Sequence, residues 1–462
     1  MNSFPRLRSA AIALTLVCVP RAAIAQTNDD KGGVTVRQVS VSTGYAAVQL
    51  PPITLGGYLP IDILNADLIT SAAGEIEWRR VAPHTTYGAA LFGGYTGRTR
   101  YSRLNAPNAD LTFGVSHVPG TRWRLGAGVA NTITSSDQLA AQPTRPRQLV
   151  DGAASFDDLA GTVALARSPS PDLAQAALFV PITQSLAGAD AYGTTLMASN
   201  VRADVIYLNS LRLATHFRGA YTAVQQLSTN NDAASALSFP DSKTARAGVG
   251  VTYDRSERTQ VTADVDWSQT AGASEDKALL VTLGYGWMGR KWFTAVTAGA
   301  ALHPFRTSAA GGTSETTSRT PTLIATAAVG YKFSTQTLLV EYSRAPHDEY
   351  GNGGRNTATG FQGSVQSFVG AWVWSVPGSR WTVRSDFTMV QRPGNFSYIN
   401  AWLATAGLGR QIGTNVRLSG ELLFDRHGSR GFEGFHLTRE GVRLNLVWTP
   451  SRRRVVSSDS EQ

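Results

Sequence analysis

The fold is decided by one stretch: Arg246-Ala247-Gly248-Val249-Gly250-Val251-Thr252-Tyr253-Asp254, a turn at Arg255-Ser256-Glu257-Arg258, then Thr259-Gln260-Val261-Thr262-Ala263-Asp264-Val265-Asp266-Trp267-Ser268. In the first run Ala247, Val249, Val251 and Tyr253 share one phase, while Arg246, Gly248, Gly250, Thr252 and Asp254 share the other. In the second, Val261, Ala263, Val265 and Trp267 alternate with Gln260, Thr262, Asp264, Asp266 and Ser268. Side chains on a strand point to opposite faces with a period of two, so each run is a strand with one apolar and one polar face. The same unit recurs from Gly33 to Trp448. Alternating strands sustained over such a length, behind an export signal, predict a transmembrane antiparallel up-and-down β-barrel with its apolar phase toward lipid.

The export signal is residues 1–25. Arg6 and Arg8 precede the apolar run Ala10 to Val19, and Ala23-Ile24-Ala25 places small residues before a cleavage point at Gln26. The run is too short to cross a bilayer as a helix, and no later segment approaches the roughly 18 uninterrupted apolar residues a spanning helix needs. The single cysteine, Cys18, lies within the signal. Acylation there would require a small residue where Val17 stands, so the mature chain is read as free of cysteine, with no disulfide and no thiolate metal site. The domains expected are the signal (1–25), a short N-terminal periplasmic segment (26–33), the barrel (34–448) and a polar C-terminal tail (449–462).

The formal charge of +9 falls to +6 once Arg6, Arg8 and Arg21 leave with the signal. Nearly all the basic residues are arginine; Lys31, Lys243, Lys277, Lys291 and Lys332 are the lysines. No Lys/Arg cluster on a helix and no nucleic-acid module accompanies this charge, so nucleic acid is excluded as a partner. Codon bias explains arginine in general; an arginine-lined lumen that favours anions is the sharper reading, and the two are compatible.

Connections fall into two classes. Short turns stand at residues 81–84, 118–121, 209–210, 254–258, 288–290, 334–336, 376–379 and 411–414. Two of them are near-copies, Val118-Pro119-Gly120-Thr121-Arg122-Trp123 and Val376-Pro377-Gly378-Ser379-Arg380-Trp381, whose Pro-Gly pair suits a type II turn. Longer polar connections alternate with them: Ser135 to Ser155, Ser228 to Ser242, Pro304 to Arg319 and His347 to Thr359. Short periplasmic turns alternating with longer external loops are the pattern of outer-membrane barrels. Eight short turns imply about 18 strands. Counting Leu159 to Thr183 as a ninth hairpin gives about 20, the number favoured here. Loops such as Pro304 to Arg319 are long enough to fold inward as a constriction.

Aromatic residues gather beside the short turns, among them Trp78, Trp123, Tyr253, Tyr285, Trp287, Trp292, Tyr331, Phe333, Trp372, Trp374, Trp381 and Trp448. This placement fits an interfacial girdle better than a sugar-stacking platform. The last strand, Arg439-Glu440-Gly441-Val442-Arg443-Leu444-Asn445-Leu446-Val447-Trp448, resembles the insertion signal of bacterial outer-membrane barrels of the porin-like class. Arg439, Gly441, Leu444, Leu446 and Trp448 carry the resemblance. The tail Thr449 to Gln462, with Arg452-Arg453-Arg454, departs from it, because the signal normally ends the chain. The resemblance implies the outer membrane of a Gram-negative bacterium, with the lipid bilayer, the insertion machinery and periplasmic chaperones as partners.

With the apolar phase outward, the other phase lines the lumen: Glu75, Glu77, Arg79, Arg122, Arg124, Arg202, Asp204, Arg212, His216, Arg218, Arg246, Asp264, Asp266, Arg384, Asp386, Arg417, Glu421 and Arg443. A lipid-facing arginine at mid-membrane costs about 2–4 kcal/mol, which fixes this phase. The pore-lining candidates are Arg202, Arg212, Arg218, Arg246, Arg384, Arg417, Arg443, Asp264, Asp266 and Glu421. Arg202, Arg212, Arg218 and Arg246 fall on neighbouring strands as a basic stripe; pairing with Asp264 and Asp266 is the competing reading. No Ser–His pair can be assigned as catalytic, although His117 stands beside Ser116. His427, His436, Glu433 and Asp425 lack a metal-ligand spacing, and no phosphate loop or cofactor motif is present, so no cofactor is expected. The expected function is a pore for small solutes or a polysaccharide. A dedicated exopolysaccharide export channel and a lipid-modifying outer-membrane enzyme are the alternatives.

Overall fold

A computed structural model of the chain describes residues 33–49, 66–100, 102, 105–135, 144–165, 194–229, 241–271, 274–302, 307–309, 315–316, 321–346, 364–392, 398–430 and 436–450. The signal 1–25, residues 26–32, the tail from 451 onward, Glu433 and the side chains of His427, His436 and Arg439 lie outside the described residues.

The strands are β1 (Gly33–Gln49), β2 (Asp67–Ala82), β3 (Thr85–Arg98), β4 (Ala106–His117), β5 (Trp123–Ser135), β6 (Thr194–Leu208), β7 (Leu213–Thr229), β8 (Ser242–Ser256), β9 (Thr259–Ala271) and β10 (Ser274–Met288). They continue with β11 (Trp292–Leu302), β12 (Thr307–Ala309), β13 (Glu315–Thr316), β14 (Thr322–Lys332), β15 (Gln336–Pro346), β16 (Ser364–Ser375), β17 (Trp381–Arg392), β18 (Tyr398–Ile412), β19 (Val416–Arg430) and β20 (His436–Trp448). Each pairs antiparallel with the next, β11 passes directly to β14, and β20 pairs with β1 from Val39↔Trp448 to Gln49↔Thr438. The wall is therefore closed and carries 18 strands. Closure removes both sheet edges and satisfies the strand backbone internally, which hydrocarbon surroundings demand.

The apolar phase is outside. Val249, Val251, Tyr253, Val261, Val265 and Trp267 are all exposed, as are Leu283, Leu422 and Leu444 on other strands. Exposed residues of this kind around a closed wall make the lipid-facing band of an outer-membrane barrel. The short-turn rim carries paired rings: Trp123 with Tyr207, Trp287 with Trp292, Tyr331 with Phe333 and Trp372 with Trp374, while Arg410 lies over Trp381. At two of these turns Gly378 and Gly413 hold φ of +67° and +71°, which a side chain disfavours.

The strand count corrects the favoured figure of 20. Residues 156–164 form a helix, not the first arm of a ninth hairpin, and β5 pairs directly with β6 across the gap, from Trp123↔Tyr207 to Ser135↔Thr195. The sequence explains the helix. Ser155 caps it by accepting a hydrogen bond from the Asp158 amide, Asp157 and Asp158 favour its positive end, and Phe156, Leu159, Ala160 and Ala164 form one buried stripe. Most of the 304–319 loop lies outside the described residues. Its described parts, β12 and β13, pair with each other, and β12 continues the wall beside β10 (Ser274↔Ala309, Glu275↔Ser308). Among the described residues, the connection that folds inward is the one between β5 and β6.

Candidate functional site: the lumen and its inserted helices

That connection carries two helices, α1 (Arg145–Gly152) and α2 (Phe156–Ala164). Both pack on residues of the inward phase, α1 against β15 and β16 and α2 against β10, β11 and β14. They are an insert within the lumen, docked by two different chemistries.

The α2 anchor is apolar. Phe156, Leu159, Ala160, Ala164 and Leu165, joined by Leu149 of α1, form a cluster with Phe293 of β11 and Leu339 of β15, with Met288 and Ala295 at its edge. Phe156 and Phe293 meet with ring centroids 5.5 Å apart. Glycines in the wall make the fit: a methyl group on Gly286 of β10 would collide with the Ala164 carbonyl, and one on Gly330 of β14 with the Phe293 ring. Burying a side chain of the Phe or Leu type contributes about 1.5–3 kcal/mol, so this cluster holds α2 firmly.

The α1 anchor is ionic. Thr144 caps the helix through the Arg147 amide, and its own amide donates to Asp386 Oδ2 at 3.3 Å. Arg147 Nη1 donates to Asp386 Oδ1 at 2.9 Å, and Nη2 donates to Glu421 Oε1 at 2.5 Å. Thr405 donates its hydroxyl to the same Asp386 oxygen, and Glu421 Oε2 also accepts from Arg443 at 2.6 Å. Asp151 of α1 pairs with Arg384 at 3.2 Å, and Arg145 with Glu341 at 2.8 Å. Burial alone would favour a neutral Arg147, but Glu421, Asp386 and Asp151 outweigh it and hold its pKa above the ordinary value. Three charged side chains (Arg147, Asp386 and Glu421), 1–9% exposed, make a buried triad whose breaking costs far more than its formation gains.

A second ionic group lies on β7 to β9. The register places Gly250 of β8 between His216 and Asp264, and Gly248 between Arg218 and Asp266. The partners on β7 and β9 reach each other over the bare middle strand. His216 Nε2 meets Asp264 Oδ1 at 2.7 Å, Arg218 Nε donates to Asp266 Oδ1 at 2.7 Å, and Arg218 Nη2 lies 3.3 Å from Asp264. A methyl group on Gly250 would collide with Asp264 and His216, and one on Gly248 with Asp266. The charged groups meet each other over these glycines. On the opposite flank Arg37 holds Glu75 at 3.0 Å and Glu77 at 3.2 Å.

The candidate pore residues thus occupy distinct settings. Arg384, Glu421 and Arg443 belong to the α1 anchor, with Arg417 on the same inward phase of β19. Arg218, Asp264 and Asp266 form the bridge across β8. Arg212 sits exposed in the short turn before β7, its carbonyl accepting from the Asp254 amide, so it does not join a stripe along the strands. Arg202 and Arg246 share one register row through Ala220. In the last strand Gly441, Leu444, Leu446 and Trp448 keep strict alternation, with Leu444, Leu446 and Trp448 exposed. Sequence reasoning missed Arg147, Phe156 and Phe293. The available signal was local: on β11 and β14 both phases are small or apolar (Ala295, Ala298, Ala301; Ala325, Ala328, Gly330), as a wall covered on both faces requires.

No protein-family model matches the chain, and no curated protein matches it in sequence. Among solved structures the barrel is similar to Pseudomonas aeruginosa OccK3 (OpdO), at 10% identity and TM-score 0.44, covering 90% of this chain and 96% of that one. It is similar to Pseudomonas aeruginosa OccK9 (OpdG), at 10% identity and TM-score 0.45, covering 91% and 100%. Acinetobacter baumannii OccAB4 is a further similar structure, at 10% identity and TM-score 0.42, covering 91% and 99%.

Proposed function

We propose that the chain is a pore-forming channel of the outer membrane that passes small solutes along a lumen narrowed by α1 and α2. The observation that carries this reading is the insert. Its described helices pack on β10, β11 and β14 to β16, while the inner faces of β1 to β9 carry polar and charged residues and, among the described residues, no packed helix. A barrel of about 18 strands leaves an aqueous interior unless it is filled. Filling one side favours small solutes over a polymer, because the path left is a lane beside the helices.

Conductance across a planar bilayer tests the reading with the full-length mature barrel. Discrete open steps are expected, and deleting the insert (residues 144–165) raises the step size severalfold. A trace that stays closed at every voltage, with the insert present and absent, overturns the channel reading.

A further inference from the structure

The lumenal arginines divide into tied and untied. Arg37, Arg147, Arg218, Arg384 and Arg443 each hold a carboxylate. Arg79 of β2, Arg124 of β5 and Arg202 of β6 are exposed and, among the described residues, their side chains make no hydrogen bond or ion pair; the opposite charge that acts on Arg202 is Asp204, two residues along its own strand. The untied three belong to one arc. Arg79 pairs with Gly88, Gly88 with Gly114, Gly114 with Gly128 and Gly128 with Arg202, so two of the guanidinium groups flank three strands with no side chain at that level. Arg124 lies on the same phase as Gly128, two inward positions nearer the short-turn rim. Nothing lies within 4 Å of a methyl group built on Gly88, and on Gly114 it would meet only a carbonyl oxygen at 3.7 Å.

This arc faces the insert. Half a turn around an 18-strand wall from β3, β4 and β5 stand β14, β15 and β16, three of the strands on which α1 and α2 pack. The levels agree: Gly88 is the fourth residue of β3 from the short-turn rim and Leu339 the fourth of β15. The acids nearby are accounted for. Glu75 and Glu77 are held by Arg37, Asp110 is buried and bonded to Thr132, and Asp204 remains against the three arginines.

We infer that Arg79, Arg124 and Arg202 form the anion-accepting wall of the constriction, and that the solute class is small anions passing between this arc and the insert. The inference rests on the channel reading and gives it a substrate class. Guanidinium groups with free donors in a low-dielectric lumen raise the local concentration of anions, and bare backbone beside them leaves room for the solute.

The test is the reversal potential of the full-length barrel under a potassium chloride gradient at low salt. The expected anion-over-cation preference is on the order of tenfold. It falls to near one in Arg79→Gln/Arg124→Gln/Arg202→Gln and fades at 1 M salt, where the screening length is about 3 Å. The control variant Arg255→Gln/Arg290→Gln/Arg380→Gln removes three exposed charges from short turns and leaves the preference in place. Folding of each variant is checked by its heat-modifiable gel mobility. A conducting barrel without anion preference, a triple variant that retains the wild-type ratio, or a control that loses as much overturns the inference while the channel reading stands. A barrel that does not conduct removes both.

Discussion

The arc from β6 to β9 and the arc from β10 to β15 begin from the same alternation and solve opposite problems. Along β6 to β9 the inward phase is charged, glycines at 248 and 250 let ion pairs reach across a strand, and no described helix packs there. Along β11 and β14 the inward phase under the insert is small or apolar, and glycines at 286 and 330 receive a helix and an aromatic ring instead. Glycine does the same physical thing in both places, which is to remove a side chain where a neighbour must come close. What differs is the neighbour: a carboxylate in one arc, the chain's own insert in the other. The inward phase of such a barrel is therefore no uniform lining, and a stretch where it turns apolar marks wall that the chain itself covers.

The contrast is broken most strongly at the ionic end of the insert. Arg147→Met leaves Asp386 and Glu421 facing an apolar group in a buried setting, an expected loss of about 4 kcal/mol in docking of α1. Hydrogen exchange should then rise across residues 145–152 and much less across 156–164, with larger and noisier conductance steps. Equal exchange in both helices as in the wild type would show that the ion pairs do not hold α1. Phe156→Ala comes next, at about 3 kcal/mol for the cavity left against Phe293. Its expected signature is the reverse: faster exchange in α2, with α1 kept in place by Arg147. Neither change touches a wall strand, so the closed barrel and its gel mobility persist in both.

The wall was legible because its rule is local. Alternation over Val261 to Trp267, the short turn at residues 255–258 and the terminal strand up to Trp448 need no distant partner to be read. The insert was not, for two reasons. The stretch Leu159 to Thr183 is Ala-rich around a proline-containing run, so period alone did not separate a short helix from a hairpin arm, although the Ser155 cap and Asp157-Asp158 were there to be weighed. More fundamentally, Arg147 finds Asp386 and Glu421 across 239 and 274 residues of sequence, and closure of the barrel is what makes them neighbours. Phase along a strand is readable from sequence, but which of the lumenal charges are tied depends on register. Gly250 opposite both His216 and Asp264 is the clearest case, since the bridge skips the strand between them.

That bridge gives the finest test of the comparison, because one substitution can be made at two glycines that differ only in what approaches them. Gly250→Ala puts a methyl group where His216 and Asp264 meet, so the pair must open, and loss of a half-buried charged hydrogen bond costs about 1–2 kcal/mol. Gly88→Ala, on the same inward phase of β3 with nothing within 4 Å, changes stability by less than about 0.5 kcal/mol. Urea midpoints of the two variants in lipid vesicles measure the difference. His216→Ala in the Gly250→Ala background should add little, since the bond is already gone, whereas His216→Ala alone should cost about as much as Gly250→Ala alone. If the two losses add in full, the glycine serves the backbone and not the bridge. The charged arc would then differ from the apolar one in its residues but not in the reason for its glycines.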